Sequence, residues 1–159
     1  LHVGLLLGMW GALEMVVQTF MVGPTAARFG ERRAMVAGLV FGAVGLAGMG
    51  LATTALGFML MMLPGALMSL AMPTAQSLMT QRVSEAEQGQ LQGASMSVAS
   101  IAGVVSPVFF GTIYAMSVGE RALIPYVGTA FLIAAGVLLG AALLGAPKGS
   151  SQDGHAAGA

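Results

Sequence analysis

Apolar runs long enough to cross a hydrocarbon core of about 30 Å, which takes roughly 20 helical residues, recur along this chain between short breaks. They cover approximately Leu1 to Val22, Ala34 to Ala52, Gly57 to Thr80, Gln92 to Met116 and Ile124 to Gly145. In a bilayer every backbone polar group must be satisfied within the protein, and continuous runs of this length do so as helices, whereas barrel strands would alternate. The predicted fold is an all-α polytopic membrane helix bundle with about five transmembrane helices. Composition agrees, because 57% hydrophobic and 8% charged residues provide too little polar surface to coat a soluble domain. Zero formal net charge and scattered basic residues leave no footprint for nucleic acid. With no cysteine, and with His2 and His155 at opposite ends, neither disulfides nor metal-ligand spacings arise. No cofactor and no metal are expected.

The breaks between the runs differ in charge. Of the twelve charged side chains, Arg28, Glu31, Arg32 and Arg33 crowd into Val22 to Met35. Thr53 to Gly57 is tight and uncharged, Gln81 to Gln90 is long and polar with Arg82, Glu85 and Glu87, and Ser117 to Pro125 is intermediate. Successive breaks fall on alternate sides of the membrane. Arg28, Arg32, Arg33, Arg82 and Lys148 then share one side, while Arg121 alone lies on the other. The positive-inside rule makes the first side cytoplasmic. Gly23 to Arg33 is therefore read as a cytoplasmic loop that fixes orientation, and on the residues alone it need do no more. From Pro147 onward the tail is small and polar, and is expected to be a disordered cytoplasmic segment.

Small residues mark faces where helices should meet. Gly4, Gly8 and Gly11 share one face of the first helix, and the same stripe continues through Glu14 and Gln18. In the fourth helix Gly93, Ser97, Ser100, Gly103, Pro107 and Gly111 form another. Both stripes are predicted contact faces. Pro64, Pro73 and Pro107 interrupt helices at membrane depth, where a missing N–H leaves a carbonyl free and favours a bend; such kinks suit a gate, or simply shape a static bundle. Methionines such as Met59, Met61, Met62, Met68 and Met72 read as adaptable packing. Glu14 stands out. Counting back about ten residues from Pro24 at about 1.5 Å each puts it roughly 15 Å deep, near the midplane. Burial there disfavours the charged carboxylate, which suits the group to carrying a proton, with Gln18 one turn away able to bond either form. A protonated Glu14 bonded to another helix is the structural alternative.

Three blocks in this order, "GPTAARFGERRA", "MPTAQSLMTQRVSEAEQGQLQGA" and "SIAGVVSPVFFGTIYAMS", resemble the second half of a major facilitator superfamily transporter, within it the tetracycline/proton antiporters and related multidrug efflux proteins. The resemblance runs through nearly the whole chain. It implies that residues 1–146 are the eighth to twelfth of twelve helices, a partial C-terminal transmembrane half, and that 147–159 form the cytoplasmic tail. The chain would then be a fragment, its partner the missing N-terminal half of the same transporter. Gly23, Arg28, Gly30 and Arg32 match the second copy of the signature loop that helps latch the cytoplasmic side, with Ala27 in place of an aspartate and Glu31 where a basic residue often stands. Arg28, Arg32 and Arg33 remain available for acidic groups or lipid phosphate. Glu14 occupies the position of a family histidine ("GALE" against G-x-L-H), and Gly42 that of an intramembrane aspartate. Gln76 and Gln92 match family glutamines; Gln76 is placed on the pathway, Gln92 at a loop or helix cap.

The resulting expectation is a proton-coupled efflux transporter in a bacterial inner membrane, multi-pass with a cytoplasmic C-terminus. It would export amphipathic drugs or metabolites by alternating access, with protons, a small-molecule substrate and the lipid bilayer as its partners. Glu14, Gln18 and Gln76 are the candidate coupling or pathway residues. Gly23, Arg28, Gly30, Arg32, Arg33, Arg82, Glu85 and Glu87 form the candidate gate. A proton-coupled importer of a small metabolite shares the same fold, and a non-transport membrane subunit is the reading from another class. An enzyme is not expected, since HExxH, paired intramembrane aspartates and a nucleophile beside a histidine are all absent from the sequence.

Overall fold

The structure, a computed structural model, describes residues 2–118 and 126–146. Seven α-helices follow one another in the described residues: α1 (His2–Phe20), α2 (Val22–Phe29), α3 (Glu31–Leu51), α4 (Ala55–Ala66), α5 (Ala71–Thr80), α6 (Gln88–Ser117) and α7 (Thr129–Gly145). The all-α prediction holds. Among the described residues three helical stretches are long and apolar enough to cross a membrane: Glu31–Leu51, Ala55–Thr80 and Glu85–Ser117. Gly4–Phe20 with Val22–Phe29 makes a fourth if this pair, bent by 46°, is one span. The expected fifth span, Ile124 to Gly145, corresponds to the shorter apolar helix α7, which starts only at Thr129 after a turn; residues 124 and 125, Arg121, and the tail 147–159 with Lys148 lie outside the described residues.

One predicted boundary needs correction. Gly23 to Arg33 is mostly not a loop, because Val22 to Phe29 forms α2. Pro24 is accommodated there in the first helical turn, where its missing N–H breaks no helical bond. The turn into α3 is confined to Gly30, whose φ of 81° is open to glycine and strained for other residues. The third run, Ala55–Thr80, carries a 3₁₀ turn at Leu67–Leu70 between its two prolines. Pro64 lies inside α4, three residues before the turn, and Pro73 lies in the first turn of α5. Hydroxyls take up carbonyls around the break: Ser69 Oγ donates to Ala66 O at 2.8 Å, and buried Thr74 Oγ1 donates to Leu70 O at 2.6 Å. At the start of α4, Thr54 Oγ1 caps the helix by accepting from the Gly57 amide at 3.1 Å. Pro107, by contrast, sits inside the 30-residue α6 without interrupting it.

α3 is the element against which the others pack. Its buried positions are small: Ala34, Gly38, Gly42, Ala43, Gly45 and Gly50, with Met49. A Cβ added to Gly45 would lie 2.3 Å from Gly65 N and 2.4 Å from Gly65 Cα, so the α3 and α4 backbones touch there. At its far end, a Cβ on Gly128 would come within 2.0 Å of Gly50 O, and Tyr126 Oη donates to that same carbonyl at 2.7 Å. A small apolar core of Val17, Ala66 and Leu70, flanked by Leu13, Val22 and Leu67, joins α1 to the 3₁₀ turn.

The glycines of the two stripes predicted as contact faces meet no neighbour among the described residues. A Cβ added at Gly4, Gly8, Gly11, Gly93, Gly103 or Gly111 meets no atom within 4 Å. The close approaches belong to the glycines of α3. Spacing identifies a surface that admits a neighbour, and leaves open whether the neighbour lies in the same chain.

Candidate functional site

Two clusters bring together residues singled out by the sequence. The first is an open cleft of about 430 Å³ walled by α1, the 3₁₀ turn and α5. Glu14 and Gln18 reach it from α1, Met68 and Ser69 from the turn, and Met72, Pro73 and Gln76 from α5. Glu14 is half-buried, whereas Gln18 and Gln76 are exposed. All three candidate pathway residues therefore line a single cleft, although they come from helices more than fifty residues apart in sequence. Because α1 ends at Phe20, Glu14 lies about 9 Å from the bend, six residues at about 1.5 Å each, rather than on an unbroken helix reaching Pro24. A carboxyl group flanked by two amides can be met by a donor or an acceptor in either protonation state.

Gln92 departs from its expected role. It lies within α6, past the first turn, and its Oε1 accepts a 2.8 Å hydrogen bond from Gln76 Nε2. It is a partner of α5, not a cap. Gly42, which the resemblance set at the position of an aspartate, is buried against the 3₁₀ turn, with Met68 Cβ 2.7 Å from where a Cβ would stand. Packing there leaves no room for a longer side chain without displacing the turn.

The second cluster gathers three helix ends. Arg32 donates from Nε to Gly145 O and from Nη2 to Ala146 O, both at 2.9 Å, and so grips the C-terminal end of α7. A guanidinium is well suited to this, since its fixed fork offers two donors to the unpaired carbonyls where the helix dipole is negative. Its neighbour Glu31 faces a different helix: the Ser77 hydroxyl donates to one carboxylate oxygen, and Gln81 Nε2 donates to the other at 2.8 Å. Glu31 also sits in the first turn of α3, where a negative charge is favoured.

The remaining members of the candidate gate take separate positions. Gly23, Arg28 and Gly30 are exposed on α2 and the turn after it, as are Arg33 at the start of α3 and Arg82 just after α5. Arg32 and Arg33 border, with Phe29, Gly30 and Glu31, an open depression of about 460 Å³. Glu87 is occupied locally, accepting from the Ser84 amide at 3.0 Å and the Ser84 hydroxyl at 2.7 Å in a capping box. Exposed Glu85 opens the second 3₁₀ turn, Glu85–Glu87, to which Glu87 also belongs. Sequence reasoning passed over Glu31 as a binding partner. Its signal was available as an acid directly after a glycine break, opening a helix.

A model of the Major Facilitator Superfamily matches residues 1–156 of the chain. Tetracycline resistance protein, class C, of Escherichia coli is 33% identical over 118 residues, which is 72% of this chain and 29% of that protein. Tetracycline resistance protein, class G, of Vibrio anguillarum is 31% identical over 117 residues, 74% of this chain and 30% of its own length. Solute carrier family 22 member 18 of Mus musculus is 32% identical over 114 residues, 70% of this chain and 28% of its own. The chain thus spans less than a third of the length of these relatives. No solved structure matches it.

Proposed function

Because this chain belongs to the major facilitator superfamily, a family of membrane transporters and not of enzymes, we propose that it supplies part of the C-terminal half of a proton-coupled efflux transporter in which Glu14 carries the proton. On this reading residues 1–146 are the last five of twelve helices, completed by an N-terminal half. The end bearing Arg28, Arg32, Arg33 and Arg82 faces the cytoplasm of a bacterium, and the cargo is an amphipathic drug or metabolite.

The observation that carries this reading is the convergence of Glu14, Gln18 and Gln76 on one cleft. Alternating exposure of Glu14 to the two sides would let it load a proton on one and release it on the other. The amides of Gln18 and Gln76, which line the same cleft, offer an acceptor to the protonated acid and a donor to the carboxylate. The names of the bacterial relatives support export of a drug. Glu14, which the resemblance sets at the position of a family histidine, would alternate between neutral and negative where an imidazole alternates between positive and neutral.

Replacing Glu14 by glutamine in the full-length protein preserves size and hydrogen bonding while removing the titration. Proton-gradient-driven uptake of tetracycline into everted vesicles, or of another amphipathic drug to which the gene confers resistance, is expected to collapse at matched protein level. Glu14→Asp should retain part of it. Gradient-driven uptake with a wild-type pH profile in Glu14→Gln would sink the coupling role and leave Glu14 as a packing residue.

A further inference from the structure

Arg28, Arg32, Arg33 and Arg82 stand at one end of the bundle and are used unevenly. Arg32 directs its fork to two carbonyls at the end of α7, whereas exposed Arg28, Arg33 and Arg82 make no side-chain hydrogen bond among the described residues. Beside Arg33 lies the depression of about 460 Å³ between α2, α3 and α5. Ala26 and Phe29 from α2 and Leu78 from α5 give it apolar walls, while Glu31, Arg32, Arg33 and Gln81 supply its polar part. Both oxygens of Glu31 accept from α5, so this carboxylate is turned toward Ser77 and Gln81. Two guanidinium groups against one carboxylate leave the depression one net positive charge. Its depth is also defined. One apolar span begins at Glu31 and another ends at Thr80, the residue before Gln81, so the depression stands where hydrocarbon gives way to headgroups. Phe29, 60% exposed and next to Arg28, is the aromatic and cationic pairing suited to that boundary.

We propose that this depression holds the phosphate of an anionic phospholipid, met by Arg33, with Phe29 and Leu78 against the adjoining glycerol and first acyl carbons. The proposal goes beyond the transport reading and needs no coupling by Glu14. A guanidinium offers a phosphate two parallel donors, and Arg33 has its own uncommitted among the described residues. The apolar walls and the depth favour a lipid over a phosphate in solution, which would be hydrated and would gain nothing from Phe29 or Leu78. The net charge favours a phosphodiester with an uncharged headgroup, since a zwitterionic headgroup brings a cation of its own toward Arg33 and Arg28. A lipid seated here would join α2 to the helix ends that Glu31 and Arg32 already fasten, and packing at this end would respond to the composition of the membrane.

The test is lipid binding to the full-length transporter in an uncharged detergent, titrated with phosphatidylglycerol or phosphatidylcholine and followed by native mass spectrometry. Phosphatidylglycerol is expected to bind in preference. Arg33→Gln should weaken its binding about fivefold, the worth of one arginine near an anionic lipid surface. Arg82→Gln removes the same charge outside the depression and should leave binding unchanged. Phe29→Ala should weaken it about threefold by removing apolar contact, and keeps the test open if Arg33→Gln does not fold. Soluble glycerol phosphate at the same concentration should not displace the lipid. Displacement would make this a site for phosphate from solution and overturn the lipid assignment. Equal losses for Arg33→Gln and Arg82→Gln would reduce the effect to general surface charge, and equal binding of the two lipids would remove the preference for an anion; either overturns the proposal. So would a wild-type protein that takes up neither lipid, because another part of the transporter would then fill the depression. None of these measurements involves Glu14, so wild-type transport by Glu14→Gln would remove the coupling role and leave the lipid site standing.

Discussion

Glu31 and Arg32 are sequence neighbours of opposite charge that hold different helices, one fastening the end of α5 and the other the end of α7. Arg32 depends on geometry as well as charge, because its fork meets two carbonyls at once. Arg32→Gln in the full-length protein is expected to lower stability by about 1 kcal/mol, the scale of an exposed charge interaction at a helix end. Arg32→Lys, which keeps the charge and loses the fork, should fall between the two. Arg33→Gln, at an exposed position, should change little, and thermal unfolding in detergent orders the series. Equal losses for the Arg32 and Arg33 variants would contradict the assignment. Single residues were legible where type alone carries meaning, as for a carboxyl group in an apolar run. They were illegible where the partner decides. The sequence places Gln92 near a helix start, but the chemistry of its amide gives no sign that Gln76 lies within reach.

Among the elements, α3 shows what glycine spacing can and cannot convey. Gly38, Gly42 and Gly45 recur at helical intervals just as Gly4, Gly8 and Gly11 do, yet only the α3 set meets its neighbours inside the chain. Gly45→Ala should push α3 from α4 and cost about 1–3 kcal/mol, because the added methyl meets backbone that cannot rotate away. Gly103→Ala on α6 finds open space in this chain and should leave its packing intact. Limited proteolysis of the two variants in membranes, with Gly45→Ala cleaved faster, checks the contrast; equal protection would mean that the α3–α4 approach is not as close as described. Helix existence could be read from the length of apolar runs. The extra helix α2 and the 3₁₀ turn could not, since proline in a first turn and proline before a break look the same without the surrounding hydrogen bonds.

Across the whole molecule, α3 begins where α5 and α7 end, and it ends beside the start of α7. The arginine-bearing end is thus one physical end of the bundle, as the alternation of breaks implied, and the proposed topology assigns it to the cytoplasm. An impermeant maleimide should label Thr53→Cys in intact cells, and Arg28→Cys only in everted vesicles; the reverse pattern would invert the orientation. The same arrangement has a consequence in time. Arg32 is joined to Gly145 across 113 residues, and Gly50 to Tyr126 across 76. A chain made at roughly 5–20 residues per second delivers α7 on the order of 4–16 s after α3 is complete. For those seconds the glycine-lined surface of α3 stands without its last neighbour, open to any other helix or to the cell's quality-control proteases. Assembly of this bundle is therefore a race between synthesis of the final helix and loss of the one that waits for it.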